Sequence, residues 1–386
     1  MFGKKRTYLD WAAGAPVARS AERAYLRAAA AFGNPSSPHA EGLAAKAILE
    51  DARVRIAREL SMKADDVIFT GGATEANNLA IQGTVIAKKK AGMQDIHLLY
   101  LPSAHASTVE TMKSLAGHGV TAEPLSINNG EVDISALKQQ LRPETALVSV
   151  DFICGETGTV WNVREVGQAL KEAGHGTLLH VDASQAPLEE SIERTRLAAD
   201  MITLDAQKVG GMRGLGVLAA PRMLGLEPLR HGGGQERELR PGTQAPALAA
   251  AFAAALEEAR ICRDTFRHRA KRMRKEFIGA VCGIAELHIN EGKEGVARII
   301  NLSLVGRDTD YLAALLNEAG FAVSTRSACE SESEDGSRAV LALTGEAARA
   351  TSTLRISWGP VTKERELRHL SRALIGAVAF LDGRAA

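Results

Sequence analysis

Lys208 closes the segment Asp205-Ala206-Gln207-Lys208, between an apolar run (Met201 to Leu204) and the glycine-rich Val209-Gly210-Gly211-Met212-Arg213-Gly214. A Schiff-base lysine needs such a site, desolvated enough to lower its pKa; taken alone the residue reads better as an exposed surface lysine, and its spacing behind the segment 180–185 reverses that reading. Upstream, His180-Val181-Asp182-Ala183-Ser184-Gln185 places Asp182 at the end of another apolar run, where open α/β sheets hold their ligands. A carboxylate there can pair with a pyridinium nitrogen and keep the ring an electron sink; it can equally cap the next helix. Thr70-Gly71-Gly72-Ala73-Thr74-Glu75 reads as strand, glycine turn and helix start. That arrangement aims backbone N–H groups at a phosphate, although a bare structural turn fits these six residues as well.

Three further segments carry polar chemistry. His231-Gly232-Gly233-Gly234-Gln235-Glu236-Arg237, followed by Arg240-Pro241-Gly242-Thr243, is a donor-rich glycine loop suited to phosphate or to a subunit contact. Ser324-Thr325-Arg326-Ser327-Ala328-Cys329 puts a thiol at the start of the acidic stretch Glu330 to Ser337, whose composition predicts a solvated loop. Arg355, alone on the apolar Thr353 to Trp358, calls for a carboxylate, and a bidentate grip on an amino acid would satisfy it.

The elements that must position these groups follow from periodicity. Short apolar runs at Val67 to Thr70, His97 to Leu101, Ala146 to Val150, Leu178 to Val181, Met201 to Leu204 and Gly216 to Ala220 alternate with helical stretches such as Glu41 to Leu60. This predicts an α/β domain with a largely parallel sheet. After Pro246 a long Ala-, Arg- and Glu-rich helix (Ala247 to Phe277) connects to a smaller α+β unit with strands at Ala297 to Leu304 and Thr353 to Trp358. A chain of 386 residues is long enough for two domains.

The bulk numbers narrow the function. A net charge of +1 and an aromatic fraction of 4% argue against a nucleic-acid partner. No apolar stretch is long enough to span a bilayer and Met1 to Asp10 lacks a signal-peptide core, so a cytoplasmic location without membrane attachment is expected. The four cysteines show no metal-ligand spacing, and no metal site is expected. Cys262 and Cys282 read as packing residues, and His39, His180 and His231 as structural ones.

In this order the segments resemble the cysteine desulfurases, the NifS/IscS branch of the class V aminotransferases. The likeness runs through YLDWAAGAP from Tyr8, FGNPSSPH from Phe32, GGATEANNLA, SAHAS around His105, HVDASQ, the lysine motif, RHGGGQERELRPGT, RSACES and TLRISWG, and covers nearly the whole chain. It implies a fold type I enzyme with a large pyridoxal 5'-phosphate (PLP) binding domain over 15–255, its mixed sheet flanked by helices. A small α+β domain would be made of 1–14 and 256–386 and carry the catalytic cysteine loop. It implies that Lys208 holds PLP as a Schiff base and shuttles protons, that Asp182 pairs with the ring nitrogen, and that Gln185 bonds the ring oxygen. His105 would stack on the ring and move a proton. Ala73, Thr74, Gln207 and, across a homodimer interface, Thr243 would hold the phosphate. Arg355 and Asn34 would receive the substrate carboxylate. Cys329 would take the sulfur of L-cysteine as a persulfide, leaving alanine, and pass it to an acceptor protein in iron–sulfur assembly or another thiolation route.

The chain departs from the family pattern at two places. Asp205-Ala206-Gln207-Lys208 stands where Ser-Gly-His-Lys is usual, so a carboxylate replaces a phosphate donor. Gly155 in Cys154-Gly155-Glu156-Thr157-Gly158 replaces an asparagine. These departures keep open a related PLP β-lyase, such as a selenocysteine lyase, or a catalytically impaired scaffold of the same fold.

Overall fold

The computed structural model describes residues 6–117, 119–325 and 336–383. Seven strands build the main sheet: β1 (Val67–Thr70), β2 (Ile96–Tyr100), β3 (Val120–Pro124), β4 (Thr145–Asp151), β5 (Leu178–Asp182), β6 (Met201–Asp205) and β7 (Gly216–Ala219). Across the sheet they lie in the order β1-β7-β6-β5-β4-β2-β3. β4 and β6 are buried along their whole length, as expected where helices cover both faces of a parallel sheet. β7 runs antiparallel to β1 and β6, and the other neighbours are parallel. Every strand except β7 therefore ends at one edge of the sheet, where a crevice can form between the loops that follow.

The helices of ten residues or more are α1 (Arg19–Ala28), α2 (Ala40–Leu60), α3 (Ala73–Lys90), α4 (Ala106–Leu115), α5 (Val163–Ala173), α6 (Pro246–Val281), α7 (Thr309–Glu318) and α8 (Glu364–Leu381). α3 begins directly after β1 through Gly71 and Gly72. Gly72 sits at φ +148° and lies against Gly216 of β7, where an added Cβ would fall 2.4 Å from the Gly72 carbonyl carbon. Only glycines let the turn pack this closely on the sheet.

Apolar side chains separate into two cores. One surrounds the main sheet, and α6 contributes Ala249 to Leu256 to it. The other receives Ala259, Phe266, Ala270, Met273, Phe277 and Val281 from the same helix. It packs them on a three-stranded antiparallel sheet of β8 (Leu287–Ile289), β9 (Ile299–Leu304) and β10 (Thr353–Ser357). Leu9, Trp11 and Ala15 join this second core, and Thr7–Tyr8 pairs in parallel with Phe321–Ala322. The N-terminal segment then passes from the second core to the edge of the main sheet, where Ala12 and Ala13 reach the crevice.

Two expectations change. Cys282 is exposed rather than packed; it follows Val281, the last buried residue of α6, and caps the helix end. β3 was not evident as a strand, because Val120–Pro124 is a sheet edge with one buried residue among mixed polar ones. No described helix is long and apolar enough to cross a membrane.

Candidate active site

The crevice at the C-terminal edge of the strands is a cavity of about 250 Å³. β4, β5 and β6 each end in an aspartate: Asp151, Asp182 and Asp205. All three line the cavity, with Lys208, His105, Gln185, Arg355, Ala73, Thr74 and Gln207.

Lys208 lies in the 3-10 turn Ala206–Lys208 that follows β6. Its Nζ donates to the carbonyls of Ala12 and Ala13 at 2.8 and 2.9 Å. Asp182 accepts from the Ser184 N–H at Oδ1 (2.9 Å) and from Asn77 Nδ2 at Oδ2 (2.8 Å). Asn77 projects from α3, one turn after Ala73, and also donates to Ser107 Oγ at 2.9 Å. Ser107 in turn contacts His105 Nδ1 at 2.8 Å. Its backbone N–H donates to the same Nδ1, which assigns the imidazole proton to Nε2. A continuous hydrogen-bonded chain, His105–Ser107–Asn77–Asp182, thus orients the imidazole and the carboxylate together.

Asp151 and Asp182 are register partners on adjacent parallel strands, so both carboxylates face the same side of the sheet. Burial, and then the neighbouring Asp182, push the Asp151 carboxyl up to about 8. Its Oδ1 has no hydrogen-bond partner. Burial likewise pushes the Cys154 thiol up to about 12, so it stays protonated and is no nucleophile at neutral pH. His180, held between Ser149 Oγ and Thr203 Oγ1, is lowered to about 4 by burial; it is a neutral cross-strand tie.

At the opposite end, Arg355 on β10 donates to the Gly155 carbonyl (3.1 Å) and to Asp10 Oδ1 (2.8 Å). The guanidinium already holds one carboxylate from the N-terminal segment. Gln185 spends one Nε2 proton on the Ala12 carbonyl, and its Oε1 accepts from the fully buried Arg298. A Cβ at Gly155 would come within 3.2 Å of Gln185 Nε2. The space that a side chain at 155 would need is thus taken by Gln185.

Two expected residues stand elsewhere. Asn34 is exposed and accepts from the Ser36 N–H in a local turn; it is not in the cavity lining. Thr243 is exposed on the same chain. Its neighbours Pro241 and Gly242 line an adjoining cavity of about 760 Å³, which shares Ala73, Thr74, Asp205 and Gln207 with the first. Cys329 lies outside the described residues. The flanks of its segment reach the site: Ser324 bridges to Arg355, Ser337 Oγ donates to Glu156 Oε2 at 2.6 Å, and Arg338 lines the cavity. Asp151 and Arg338 lie outside every motif singled out in the sequence, and Asp10, Asn77 and Ser107 lie inside such motifs without having been assigned a role.

The lining fits a polar aromatic cofactor. Ser103 Oγ, Ser184 Oγ and Asp151 Oδ1 are buried in it without a partner, and orphaned polar atoms converging on one cavity call for a ligand that satisfies them.

The chain is similar in sequence and fold to known proteins over nearly its whole length. The family model for class-V aminotransferases matches residues 7–370. The putative cysteine desulfurase IscS 1 of Bacillus subtilis (strain 168) is 34% identical, with 92% of this chain and 94% of the relative aligned. Among solved structures, a NifS-like protein superposes with a TM-score of 0.90 at 26% identity, covering 97% of this chain and 100% of that one. SspA in complex with cysteine superposes with a TM-score of 0.78 at 28% identity, covering 92% and 99%. With its mixed sheet, its strand-end crevice and near-complete alignment to these relatives, the chain belongs to the class-V aminotransferase family.

Proposed function

We propose that this chain is a PLP-dependent cysteine desulfurase. It takes the sulfur of L-cysteine onto the Cys329 thiol, so that L-cysteine and a thiol become L-alanine and a persulfide. The observation that carries the reading is the convergence of Lys208, Asp182, His105 and Arg355 on one cavity, in a chain aligned end to end with curated desulfurases.

Asp182 and Gln185 would hold the ring of PLP, Lys208 its carbonyl carbon, and Ala73, Thr74 and Gln207 its phosphate end. Bound there, the cofactor supplies an electron sink for bonds broken at the substrate's α and β carbons. The chain's own groups do the rest. Asp182, fixed at both oxygens, would hold the proton on the ring nitrogen of the bound cofactor. Lys208 Nζ, held by two carbonyls, is placed to take and return a proton at the substrate α carbon. His105, anchored at Nδ1 by Ser107, presents the Nε2–H as its donor. Arg355 receives the substrate carboxylate by exchanging it for that of Asp10, which orients the amino acid. Cys329 follows Ser324, the residue bridged to Arg355, which supports its assignment as the sulfur-accepting thiol. A sulfur-acceptor protein and a homodimer complete the proposal; Thr243, exposed beside the open adjoining cavity, is the residue assigned to the partner's site.

The test incubates the purified protein with PLP and L-cysteine and measures alanine and protein-bound persulfide. Wild type should form both, Lys208→Ala neither, and Cys329→Ala no persulfide at residue 329. Absence of alanine from the wild type, or undiminished persulfide in Cys329→Ala, would overturn the assignment.

A further inference from the structure

The phosphate end of the cavity already contains an anion. Asp205, the last residue of β6, is 7% exposed. Its Oδ2 accepts from the N–H of Ala73 at 3.0 Å and its Oδ1 from the N–H of Gln207 at 3.0 Å. Ala73 is the first residue of α3, an 18-residue helix whose N-terminal end points at the cavity. A carboxylate there gains from the partial positive charge and from a backbone donor that would otherwise be unsatisfied. Gly72, at φ +148°, forms the turn that brings the Ala73 N–H to this carboxylate. A second donor of the same turn, Gly71 N–H, is taken by Glu75 Oε2, whose other oxygen faces Arg230 and Arg240 at 3.7 and 3.5 Å. Two donors of the strand–turn–helix cup are thus spent on carboxylates of the chain itself, and one of these carboxylates lines both adjoining cavities.

We propose that Asp205 is a specificity residue that sets how strongly this chain binds the phosphate of its ligand. A phosphate ester reaches the first N–H of α3 only by displacing the Asp205 carboxylate or by lying beside it, and like charges at that range oppose each other. The non-phosphorylated ring, held by Asp182, Gln185 and Lys208, meets no such opposition. This chain therefore discriminates less between PLP and pyridoxal than the same chain with an uncharged acceptor at 205. The inference rests on the PLP reading for its ligand, and the experiment separates the two.

The protein, freed of carried-over ligand with hydroxylamine, is titrated with PLP and separately with pyridoxal by visible absorbance. Wild type, Asp205→Asn and Asp205→Ser are compared. Asn keeps an oxygen for one backbone donor without the charge, and Ser supplies a hydroxyl should the Asn variant fold poorly. The expected result is a Kd for PLP at least about tenfold lower in the variants, the low end of what a neighbouring like charge does to an ionic equilibrium, with pyridoxal changed less than about twofold. Thermal stabilisation by inorganic phosphate should likewise be larger in the variants. PLP affinity unchanged or weakened in a folded variant, or pyridoxal tightened equally, overturns the assignment of Asp205. If no protein binds either aldehyde, the cofactor reading fails, and the inorganic phosphate series still decides whether Asp205 competes for the cup.

Discussion

Replacing Asp151 by asparagine should change how stability depends on pH more than it changes stability at any one pH. In the unfolded chain this carboxyl titrates near 3.8; in the folded protein burial and Asp182 raise it to about 8. Below the unfolded value both states carry the proton, and nothing is lost. As pH rises, the unfolded chain releases its proton while the folded protein keeps it, so the unfolded state is progressively favoured. The loss is complete once the pH passes the folded value. Each pH unit in that interval is worth about 1.4 kcal/mol, so from pH 5 to 8 the wild type loses up to about 4 kcal/mol that an uncharged residue at 151 does not. Asparagine has nearly the same shape and no proton to release in this range. Urea unfolding of wild type and Asp151→Asn at pH 5, 6, 7 and 8 measures the difference, with the other titrating groups common to both proteins. The wild type should lose stability relative to the variant at every step upward. Two parallel curves, differing by less than about 0.5 kcal/mol across the window, would refute the reasoning. A neutral Asp151 matters for chemistry because it adds no further negative charge beside Asp182, its register partner at the strand ends.

The other predictions concern single contacts. Glu236, buried, takes Arg53 Nη1 and Nη2, Phe69 N–H and Gln244 Nε2; Glu236→Ala leaves the buried guanidinium of Arg53 with only the half-exposed Glu50 and the Val67 carbonyl and should cost about 3–5 kcal/mol in urea unfolding, and a loss below about 1 kcal/mol would contradict the burial of the pair. Asn77→Ala cuts the link from His105 to Asp182 and should lower kcat for alanine formation more than it raises KM, at a stability cost of about 1–3 kcal/mol; unaltered kcat would show that the link does not orient the site. Arg355→Lys removes the planar fork while keeping the charge and should lower kcat/KM for cysteine by at least about tenfold, with KM carrying most of the change. Cys154→Ser should leave persulfide formation within about threefold of wild type, because the thiol it removes is protonated at neutral pH; loss as deep as that of Lys208→Ala would assign Cys154 a part in the reaction.

The strands that carry the site were legible because they are short apolar runs bounded by glycine, aspartate or helix starts, and β1, β4, β5, β6 and β10 fall within a residue of where the pattern puts them. β3 was not, since an edge strand with mostly solvated side chains has no apolar signature. Lys208, Asp182 and His105 were legible because each sits in a compact local motif. Asp151 was not, although it too ends an apolar run. Its meaning comes from register: only the pairing of β4 with β5 sets it beside Asp182. Asp10 is more remote still, lying 345 positions before the guanidinium it meets. Gly155 looked like a lost amide in the sequence, and in the fold the vacant side-chain position is filled by Gln185. Contacts made across the sheet or between chain ends leave no local pattern to read.

The three aspartates at the ends of β4, β5 and β6 show why the residue type alone could not settle their roles. Each follows an apolar strand, and each lines the same cavity. Asp151 has an oxygen with no partner, so the site holds it protonated. Asp182 has a donor at each oxygen, Ser184 N–H and Asn77 Nδ2, which fixes the plane of its carboxyl. Asp205 also has two donors, but they are the backbone groups of a helix start and a turn, the same donors a phosphate would use. One carboxyl is thus held neutral by burial, one is fixed where a cofactor's ring nitrogen would lie, and one occupies the donors that a cofactor's phosphate would use. The cations facing this row are Lys208, Arg338 and Arg355, and Arg355 already answers Asp10. A phosphate dianion brought to the first N–H of α3 meets the Asp205 carboxylate on that same donor, which is why the electrostatic cost of loading the site should appear at Asp205 and be relieved by neutralising that residue.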